Sequence, residues 1–148
     1  MPLTGVHHVN ILAGLSDLPA IEKFYSEGLG MKVGSRPDFP APGIWLYSGD
    51  HPLVHVSVHC DEHYTGNDAG ITGYDHVAFD VSDPDEYTQR LTLLGVSFDA
   101  QNVANAGFQI FTHDPVGNKV ELNFPNGEAP QDIAVGTLSK TQFPDHAT

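Results

Sequence analysis

The chain has 148 residues, a length that suits one domain with a single hydrophobic core. Its 19 acidic residues outnumber six basic ones and give a formal net charge of −13 at pH 7, which argues against nucleic acid and strongly anionic substrates as partners. With no apolar run long enough for a membrane helix, no secretory signal at its start and the single cysteine Cys60, the sequence predicts a cytoplasmic protein without disulfides or a membrane partner.

The first predicted module begins with a strand over residues 5–11 that carries His8. Asp17 opens a helix, apolar side chains follow at three- and four-residue spacing, and Gly30 ends the helix, because glycine tolerates the left-handed conformation required there. Three strand-like runs follow, near residues 31–36, 43–48 and 53–59. The pattern predicts a βαβββ module over about residues 4–60.

A second copy of this pattern follows a polar, glycine-containing linker over residues 61–72. Its first strand carries His76, at an offset of 68 residues from His8. An Asp83-Pro84 pair opens its helix and Gly95 ends it. Strand-like runs complete the module near residues 97–103, 108–112 and 119–124.

The repeat predicts an α+β fold of two tandem βαβββ modules. Their strands are expected to form a curved, barrel-like mixed sheet with the helices on its outer face. The second module covers about residues 73–124, and residues 125–148, where the periodicity is lost, form a C-terminal arm or tail.

Side chains alternate across a strand, which sorts each strand into two faces. In four strands one face is aliphatic, whereas the other carries a residue that can bind a metal: His8, His55, His76 and Glu121. His55 and Glu121 occupy matching places, 66 residues apart, in the last strands of the two modules. Because one cation can satisfy four such side chains on a partly dry face, the sequence predicts one divalent metal per chain, bound by these residues.

Three groups of residues make the chain resemble the vicinal oxygen chelate superfamily, which includes glyoxalase I, type I extradiol dioxygenases, and fosfomycin- and bleomycin-resistance proteins. They are the Gly-x-x-His-Val strand openings, Phe24-Tyr25 followed by Leu29-Gly30-Met31, and Asp114-Pro115-x-Gly117-Asn118-Lys119-Val120-Glu121-Leu122. The resemblance covers roughly residues 4–124. It implies metal ligands on the first and last strand of each module, which are the positions of the same four residues.

Two positions depart from bacterial glyoxalase I. His55 stands where that enzyme has a carboxylate that binds the metal and is understood to act as a base, and Leu12 stands where an arginine is expected. The few basic residues also leave little to hold the carboxylates of glutathione. The resemblance therefore does not favour a glutathione-dependent glyoxalase I, and Glu121 is the carboxylate that remains as a catalytic candidate.

A set of histidines with a single carboxylate suits Fe(II) or Mn(II). The leading hypothesis is therefore an enzyme whose metal is chelated by two oxygens of a small, oxygen-rich substrate, with dioxygenase chemistry slightly favoured. Zn(II) or Ni(II) with isomerase or lyase chemistry stays open as an alternative. A non-catalytic protein that binds an antibiotic or metabolite is the rival class.

Other residues are candidates for catalysis or substrate binding. His59 lies four residues past His55 on the same strand face and is a candidate general acid or base, as against a histidine that faces solvent. The predicted substrate contacts are polar, aromatic and basic side chains: Asn10, Ser57, Asn123, Trp45, Tyr47 and Arg36. A packed aromatic pair and a loop salt bridge are the alternatives for the last three. The remaining histidines are expected on the surface or in loops: His7, His51, His63, His113 and His146.

The resemblance also implies a homodimer whose metal sites draw on both subunits. His8 and His55 of one chain would then meet His76 and Glu121 of the other. The sequence itself adds that the linker over residues 61–72 is short, which favours exchange of modules between chains.

Overall fold

The computed structural model describes residues 5–66, 76–103 and 107–137. Predictions for linker residues 67–72, for the start of the strand that leads to His76 and for arm residues 138–148 lie outside the described residues. The chain divides into two compact units, Met1–Tyr74 with Asp114–Asn118 and Asp75–His113 with Lys119–Thr148. Each unit has its own sheet.

The first unit contains a four-stranded sheet. Its strands are β1 (Val9–Gly14), β2 (Lys32–Gly34), β3 (Gly43–Ser48) and β4 (His51–Cys60). They lie in the order β1-β4-β3-β2, with β1 parallel to β4 and the other neighbours antiparallel. The predicted alternation is visible in the core, where Leu46, Val54 and Val56 are buried.

One helical segment connects β1 to β2. It consists of a 3₁₀ turn (Leu15–Asp17), helix α1 (Leu18–Lys23) and a π turn (Phe24–Gly28). Ile21 and Phe24 of the predicted apolar stripe are buried. Gly30 has a φ of +77°, and the Met31 amide donates back to the carbonyl of Tyr25 at 2.9 Å. The predicted end of this helix at Gly30 is confirmed, because this left-handed position favours glycine.

Asp17 joins the start of this helical segment to the residues that follow β4. Its buried carboxylate accepts hydrogen bonds from the amides of Gly14 and Tyr64 at 2.8 and 2.7 Å and contacts His63 Nδ1 at 2.6 Å. The Tyr64 amide is the main cause of a lowered pKa of Asp17, supported by His63 and Gly14 against the opposing effect of burial. The first residues of the predicted linker are therefore fastened to the first unit.

Tyr25 fastens a second distant segment to the same helix. Its side chain is 1% exposed, and its hydroxyl donates to Asp114 Oδ2 at 2.9 Å. Asp114 also accepts the Val116 and Asn118 amides at 3.1 and 2.8 Å and the Asn118 side-chain amide at 2.9 Å. Two of the sequence motifs, Phe24-Tyr25 and Asp114 to Asn118, thus meet in one buried hydrogen-bonded group.

The second unit contains a five-stranded sheet and one helix. Its elements are β5 (His76–Asp80), α2 (Pro84–Leu93), β6 (Phe98–Val103), β7 (Gly107–His113), β8 (Lys119–Phe124) and β9 (Gly136–Thr137). The strand order is β5-β8-β7-β6-β9, with β5 parallel to β8 and β9 parallel to β6. Its fully buried side chains include Leu91, Phe108, Ile110, Val120 and Leu122.

Both predicted ends of α2 are confirmed. Asp83 precedes the helix and accepts the Glu86 amide at 3.3 Å, while Pro84 occupies the first turn. At the other end Gly95 has a φ of +68°. Because Asp83 itself has a φ of +62°, the turn before the helix uses a conformation that aspartate and asparagine tolerate better than most residues.

The predicted α+β fold of two βαβββ modules is confirmed, and each module contributes its own open sheet. The boundaries of the first strand were wrong, because β1 begins at Val9 and His8 lies just before it. The C-terminal arm also adds a short strand, β9, to the second sheet. None of the helices within the described ranges has the length and apolar run that crossing a bilayer requires.

Candidate metal-binding pairs

The first unit brings His8 and His55 together as stacked rings. Their centroids lie 3.9 Å apart, and their planes differ by 13°. His55 stands on β4 opposite Trp45 of β3, and the Trp45 ring also stacks on it, at 3.9 Å and 8°. Two rings cannot occupy the same face, so the imidazole of His55 lies between His8 and Trp45.

This position buries His55 and favours its neutral form. The residue is 8% exposed, and its Nε2 lies 3.1 Å from the carbonyl oxygen of Pro52, to which a protonated Nε2 donates. Burial lowers the pKa of His55, and repulsion from His8 lowers it further. A neutral ring is the form that can bind a metal.

His8 is exposed and contacts His7, which in turn contacts His51. Its Nδ1 lies 2.9 Å from Nδ1 of His7, whose ring packs edge-on against His51 with centroids 5.1 Å apart. His51 Nε2 in turn lies 2.5 Å from the carbonyl oxygen of His7. His7, His8, His51 and His55 therefore form one histidine cluster around the start of β1.

The second unit brings the side chains of His76 and Glu121 into direct contact. His76 Nε2 lies 2.8 Å from Glu121 Oε2, and the Glu121 side chain is 10% exposed. Phe111, which pairs with Glu121 across β7 and β8, places its ring edge-on to His76 at 5.7 Å. Lys119 Nζ lies over the Phe111 ring, 5.3 Å from its centroid.

The two pairs occupy equivalent positions in their sheets. In the first unit Val9 pairs with Val54, so His8 stands one residue before that pair and His55 one residue after it. In the second unit Val77 pairs with Val120, and His76 and Glu121 stand one residue before and one after in the same way. Each pair thus lies on the same diagonal across two parallel strands, and the two pairs occupy matching places, as the sequence repeat predicted.

The donor set fits a divalent metal unequally in the two units. Within residues 5–66, 76–103 and 107–137, no three His, Cys, Asp or Glu side chains are arranged to hold an ion. His76 Nε2 and Glu121 Oε2, 2.8 Å apart, match two adjacent ligands of one ion, which lie about 3 Å apart when each bond is about 2.1 Å long. In the first unit the stacked rings of His8 and His55 are nearly parallel, so their nitrogen lone pairs lie in two separate, parallel planes. An ion in the plane of one ring is therefore out of reach of the other ring's lone pair unless the stack opens. The four-ligand set stays a prediction.

The predicted substrate-binding residues fall into two groups. Polar side chains pair across parallel strands in both units, with Ser57 Oγ donating to Asn10 Oδ1 and Asn123 Nδ2 donating to Asp80 Oδ1, each at 2.9 Å. Tyr47 Oη donates to the carbonyl of Ser35, just after β2, at 2.5 Å, so this hydroxyl forms a hydrogen bond within the first unit. The polar pairs lie on the strand face that carries the candidate ligands.

Three other predicted residues have different surroundings. Trp45 is packed on His55, and the guanidinium of Arg36 lies 5.1 Å from the Phe39 ring rather than in a salt bridge within the described residues. His59 is exposed on β4, and four residues of strand place it about 13 Å from His55. That separation exceeds any direct contact between the two side chains, so a catalytic role for His59 stays a prediction.

Several residues of these sites were not predicted from the sequence. His7 and His51 were assigned to the surface or loops, yet they complete the histidine cluster. Phe39 and Phe111 were given no role. Alternation along β7 places Phe111 on the face opposite Phe108 and Ile110, but its contact with His76 depends on cross-strand register, which no local signal encodes.

The comparisons with known proteins identify the family. The model of the Glyoxalase/Bleomycin resistance protein/Dioxygenase superfamily matches residues 5–122, and the chain belongs to this family. The resemblance inferred from the sequence motifs is thereby confirmed. No curated protein sequence matches the chain.

Solved structures share the fold at low sequence identity. A glyoxalase/bleomycin resistance protein/dioxygenase domain from Frankia sp. EAN1pec has a TM-score of 0.69 and 21% identity, over 84% of this chain and all of that one. Glyoxalase I of Leishmania major, described as trypanothione-dependent, has a TM-score of 0.61 and 26% identity, over 83% of this chain and 88% of that one. The fosfomycin resistance protein FosX of Listeria monocytogenes, in a complex with Mn(II), has a TM-score of 0.63 and 19% identity, over 84% of this chain and 95% of that one.

Proposed function

We propose that this chain is a divalent-metal-dependent enzyme that acts on a small, oxygen-rich organic substrate through two chelating oxygens. The observation that carries the proposal is the contact of 2.8 Å between His76 and Glu121, matched by His8 and His55 at the equivalent diagonal of the first sheet. Two histidine-containing pairs at repeated positions are difficult to explain by packing alone, because neither Glu121 nor His55 is a favourable core residue without a partner.

The proposed ligands are His76, Glu121 and His8, with His55 as a fourth ligand if the ring stack opens. Two histidines and one carboxylate suit Fe(II) or Mn(II), the metals of dioxygenase-type chemistry. Family relatives support a divalent metal, since FosX of Listeria monocytogenes is described with Mn(II). Zn(II) or Ni(II) with isomerase or lyase chemistry is the alternative. A metal bound here would polarise substrate oxygens and keep positions open for them.

The chain's own residues would orient the ligands and the substrate. Trp45 and His8 hold the His55 ring on both faces, and Phe111 limits the rotation of His76. Glu121 is buried, so a proton that it accepts stays shielded from water. The hydrogen-bonded polar pairs on the same strand faces offer further donors and acceptors to a substrate with several oxygens.

Metal analysis of purified protein tests the proposal. We expect about one divalent ion per chain, and loss of most of that affinity in His8→Ala, His76→Ala and Glu121→Ala. His113→Ala is the matched control, because His113 is an exposed histidine at the end of β7. Wild-type stoichiometry in all three ligand variants would show that the proposed site is wrong.

His55 decides between three and four ligands. Weaker binding in His55→Ala, together with retained metal in His55→Glu, supports four ligands, because carboxylate and imidazole both bind such ions. Unchanged affinity in His55→Ala supports a three-ligand site in which His55 is a packed neighbour. Oxygen uptake with catechols then separates dioxygenase chemistry from isomerase or lyase chemistry.

A non-catalytic binding protein is the second candidate. It is favoured by the packing of His55 between two rings, which presents an aromatic surface instead of an open ligand. Such a protein would bind its small molecule equally well after metal removal and would consume no substrate. Binding measured with and without a chelator therefore distinguishes the two functions.

We also propose a homodimer in which the metal sites draw on both subunits. Strand β1, which follows His8, and strand β5, which begins with His76, each occupy an edge of their sheet. Edge strands of this kind are normally paired or covered in the native assembly.

A further inference from the structure

The loop between β2 and β3 places the guanidinium of Arg36 and the ring of Phe39 next to Trp45 of β3. The Arg36 guanidinium carbon lies 5.1 Å from the Phe39 ring centroid, and the Phe39 and Trp45 centroids lie 6.3 Å apart with their planes tilted by 48°. Phe39 is 48% exposed. Arg36, Phe39 and Trp45 are called the guanidinium–aromatic patch below.

Arg36 uses little of its hydrogen-bonding capacity within the described residues. Its Nη2 donates to the carbonyl of Ala41 at 3.0 Å, whereas its Nε is buried and has no partner. No ion pair to Arg36 is formed by a carboxylate in the described part of the chain, although Asp38 is two residues away. Because Nε is buried, a carboxylate from outside the chain reaches the Nη edge of the guanidinium and not Nε.

Gly43 shapes the surface beside this guanidinium. A methyl group at Gly43 would lie 2.2 Å from the carbonyl oxygen of Val56 and 3.5 Å from Arg36 Nη2. The Val56 carbonyl therefore excludes a side chain at the start of β3, and the Arg36 guanidinium lies beside this narrow stretch of backbone. The hydrogen bond to Ala41 and the contact with Phe39 restrict the guanidinium before any ligand arrives, which reduces the entropy lost on binding.

We propose that the guanidinium–aromatic patch binds a planar aromatic monocarboxylate. The carboxylate accepts from the guanidinium of Arg36, and the aromatic ring packs on Phe39 and on the part of Trp45 that His55 leaves uncovered. Planar guanidinium and carboxylate groups form two parallel hydrogen bonds. A single guanidinium suits a single negative charge, in agreement with a chain of net charge −13 that disfavours polyanions.

This inference rests on the proposed function, because it assigns a substrate class to the same strand face. Trp45 contacts both Phe39 of the patch and His55. A ligand anchored on Arg36 by its acid group would extend its ring toward the histidine cluster. The patch therefore selects aromatic acids over aliphatic acids and over neutral aromatics.

Binding to metal-free protein tests this selection. Trp45 is the chain's one tryptophan, so its fluorescence reports on the patch, and saturation-transfer NMR gives an independent measurement. The probes are benzoate, cyclohexanecarboxylate and benzyl alcohol. We expect benzoate to bind at least about fivefold more tightly than either of the others, because each lacks one of the two interactions. No saturable benzoate binding up to about 10 mM, or equal binding of benzoate and cyclohexanecarboxylate, would overturn the proposal.

Substitutions separate the patch from the metal ligands. Arg36→Gln is expected to weaken benzoate binding at least about tenfold and Arg36→Lys by less, while Phe39→Leu weakens it about two- to fivefold. Arg90→Lys is the matched control, because Arg90 on α2 lies 5.5 Å from the Tyr87 ring centroid and pairs with Glu86. Circular dichroism verifies folding, and Phe39→Leu tests the patch if Arg36 variants do not fold.

Wild-type benzoate affinity in both Arg36→Gln and Phe39→Leu contradicts the patch. Since the measurement uses metal-free protein, it does not depend on whether the proposed metal site exists. Metal binding without selective benzoate binding leaves the proposed function intact and refutes this inference. Selective benzoate binding without metal binding supports this inference and refutes the proposed metal-dependent function.

Discussion

Removal of the Tyr25 hydroxyl is expected to destabilise the first unit by a predictable amount. In Tyr25→Phe the ring stays in place, but the bond of 2.9 Å to Asp114 is lost. Hydrogen bonds to charged groups contribute about 1.5–3 kcal/mol. Because Asp114 keeps its other donors from Val116 and Asn118, the carboxylate is not left without partners. The expected loss is therefore in the lower part of this range, about 1.5–2 kcal/mol.

The loss should depend on pH in a defined way. Burial raises the pKa of Tyr25 well above its ordinary value, and the neighbouring Asp114 carboxylate raises it further. A raised pKa in the folded state means that the stabilisation is complete below about pH 10, where tyrosine ionises in unfolded chains, and declines as the pH rises beyond it. The difference between wild type and Tyr25→Phe should therefore be constant near neutral pH and shrink above pH 10.

Urea unfolding followed by Trp45 fluorescence provides the assay, because Trp45 belongs to the same unit as Tyr25. At the thermal midpoint the same loss corresponds to about 3–8 °C for a chain of this length. Tyr64→Phe is the control, since the Tyr64 hydroxyl makes no hydrogen bond within the described residues, and its effect should stay below about 0.5 kcal/mol. Equal stabilities of Tyr25→Phe and Tyr64→Phe would refute the reasoning.

Three further expectations concern other parts of the chain. Asp17→Asn should lower the free energy of unfolding by about 1–3 kcal/mol at pH 7. Since the folded pKa of Asp17 is lowered, the stability of the wild type should fall as the pH drops below about 4. Urea titrations should show less of this decline in the variant. Gly14→Ala should destabilise by at least about 1–3 kcal/mol, because its methyl group would lie 1.6 Å from a backbone carbonyl oxygen; thermal unfolding at wild-type level would contradict that close approach. Mixing His8→Ala with Glu121→Ala protein should restore metal binding if subunits share sites, since each heterodimer then has one intact site. If metal binding does not recover after verified subunit exchange, the sites are not shared. If light scattering shows a monomer, the dimer is excluded as well.

Local patterns were sufficient to predict the modules and their helix ends. Gly30 and Gly95 were identified as helix ends because their conformations favour glycine, and both have positive φ values. Alternation predicted the buried faces of β4 and β8 because side-chain direction in a strand follows position along it. The repeat also predicted that His8 matches His76 and that His55 matches Glu121, whereas the diagonal within each pair depends on the register of the strands.

Contacts between distant residues were beyond this reasoning. The sequence suggested Asp17 as the start of a helix, whereas its carboxylate binds the segment after β4, and Tyr25 and Asp114 were recognised only as parts of separate motifs. The sequence around Asp17 is compatible with a carboxylate that caps a helix and with one that binds a distant segment. Which of the two forms depends on the amides that the folded chain brings near the carboxylate. Residues more than 40 positions away supply two of its partners, the imidazole of His63 and the backbone amide of Tyr64.

The sequence by itself determined the repeated βαβββ pattern and the buried faces and suggested four candidate metal ligands, because these depend on spacing along one strand or helix. Only the tertiary structure decided that Trp45 stacks on His55, that His7 and His51 join His8, and that Phe111 packs against His76. These contacts depend on the register between neighbouring strands and on how side chains share a face. Register is set by the packing of the whole sheet, which no short segment of the chain specifies.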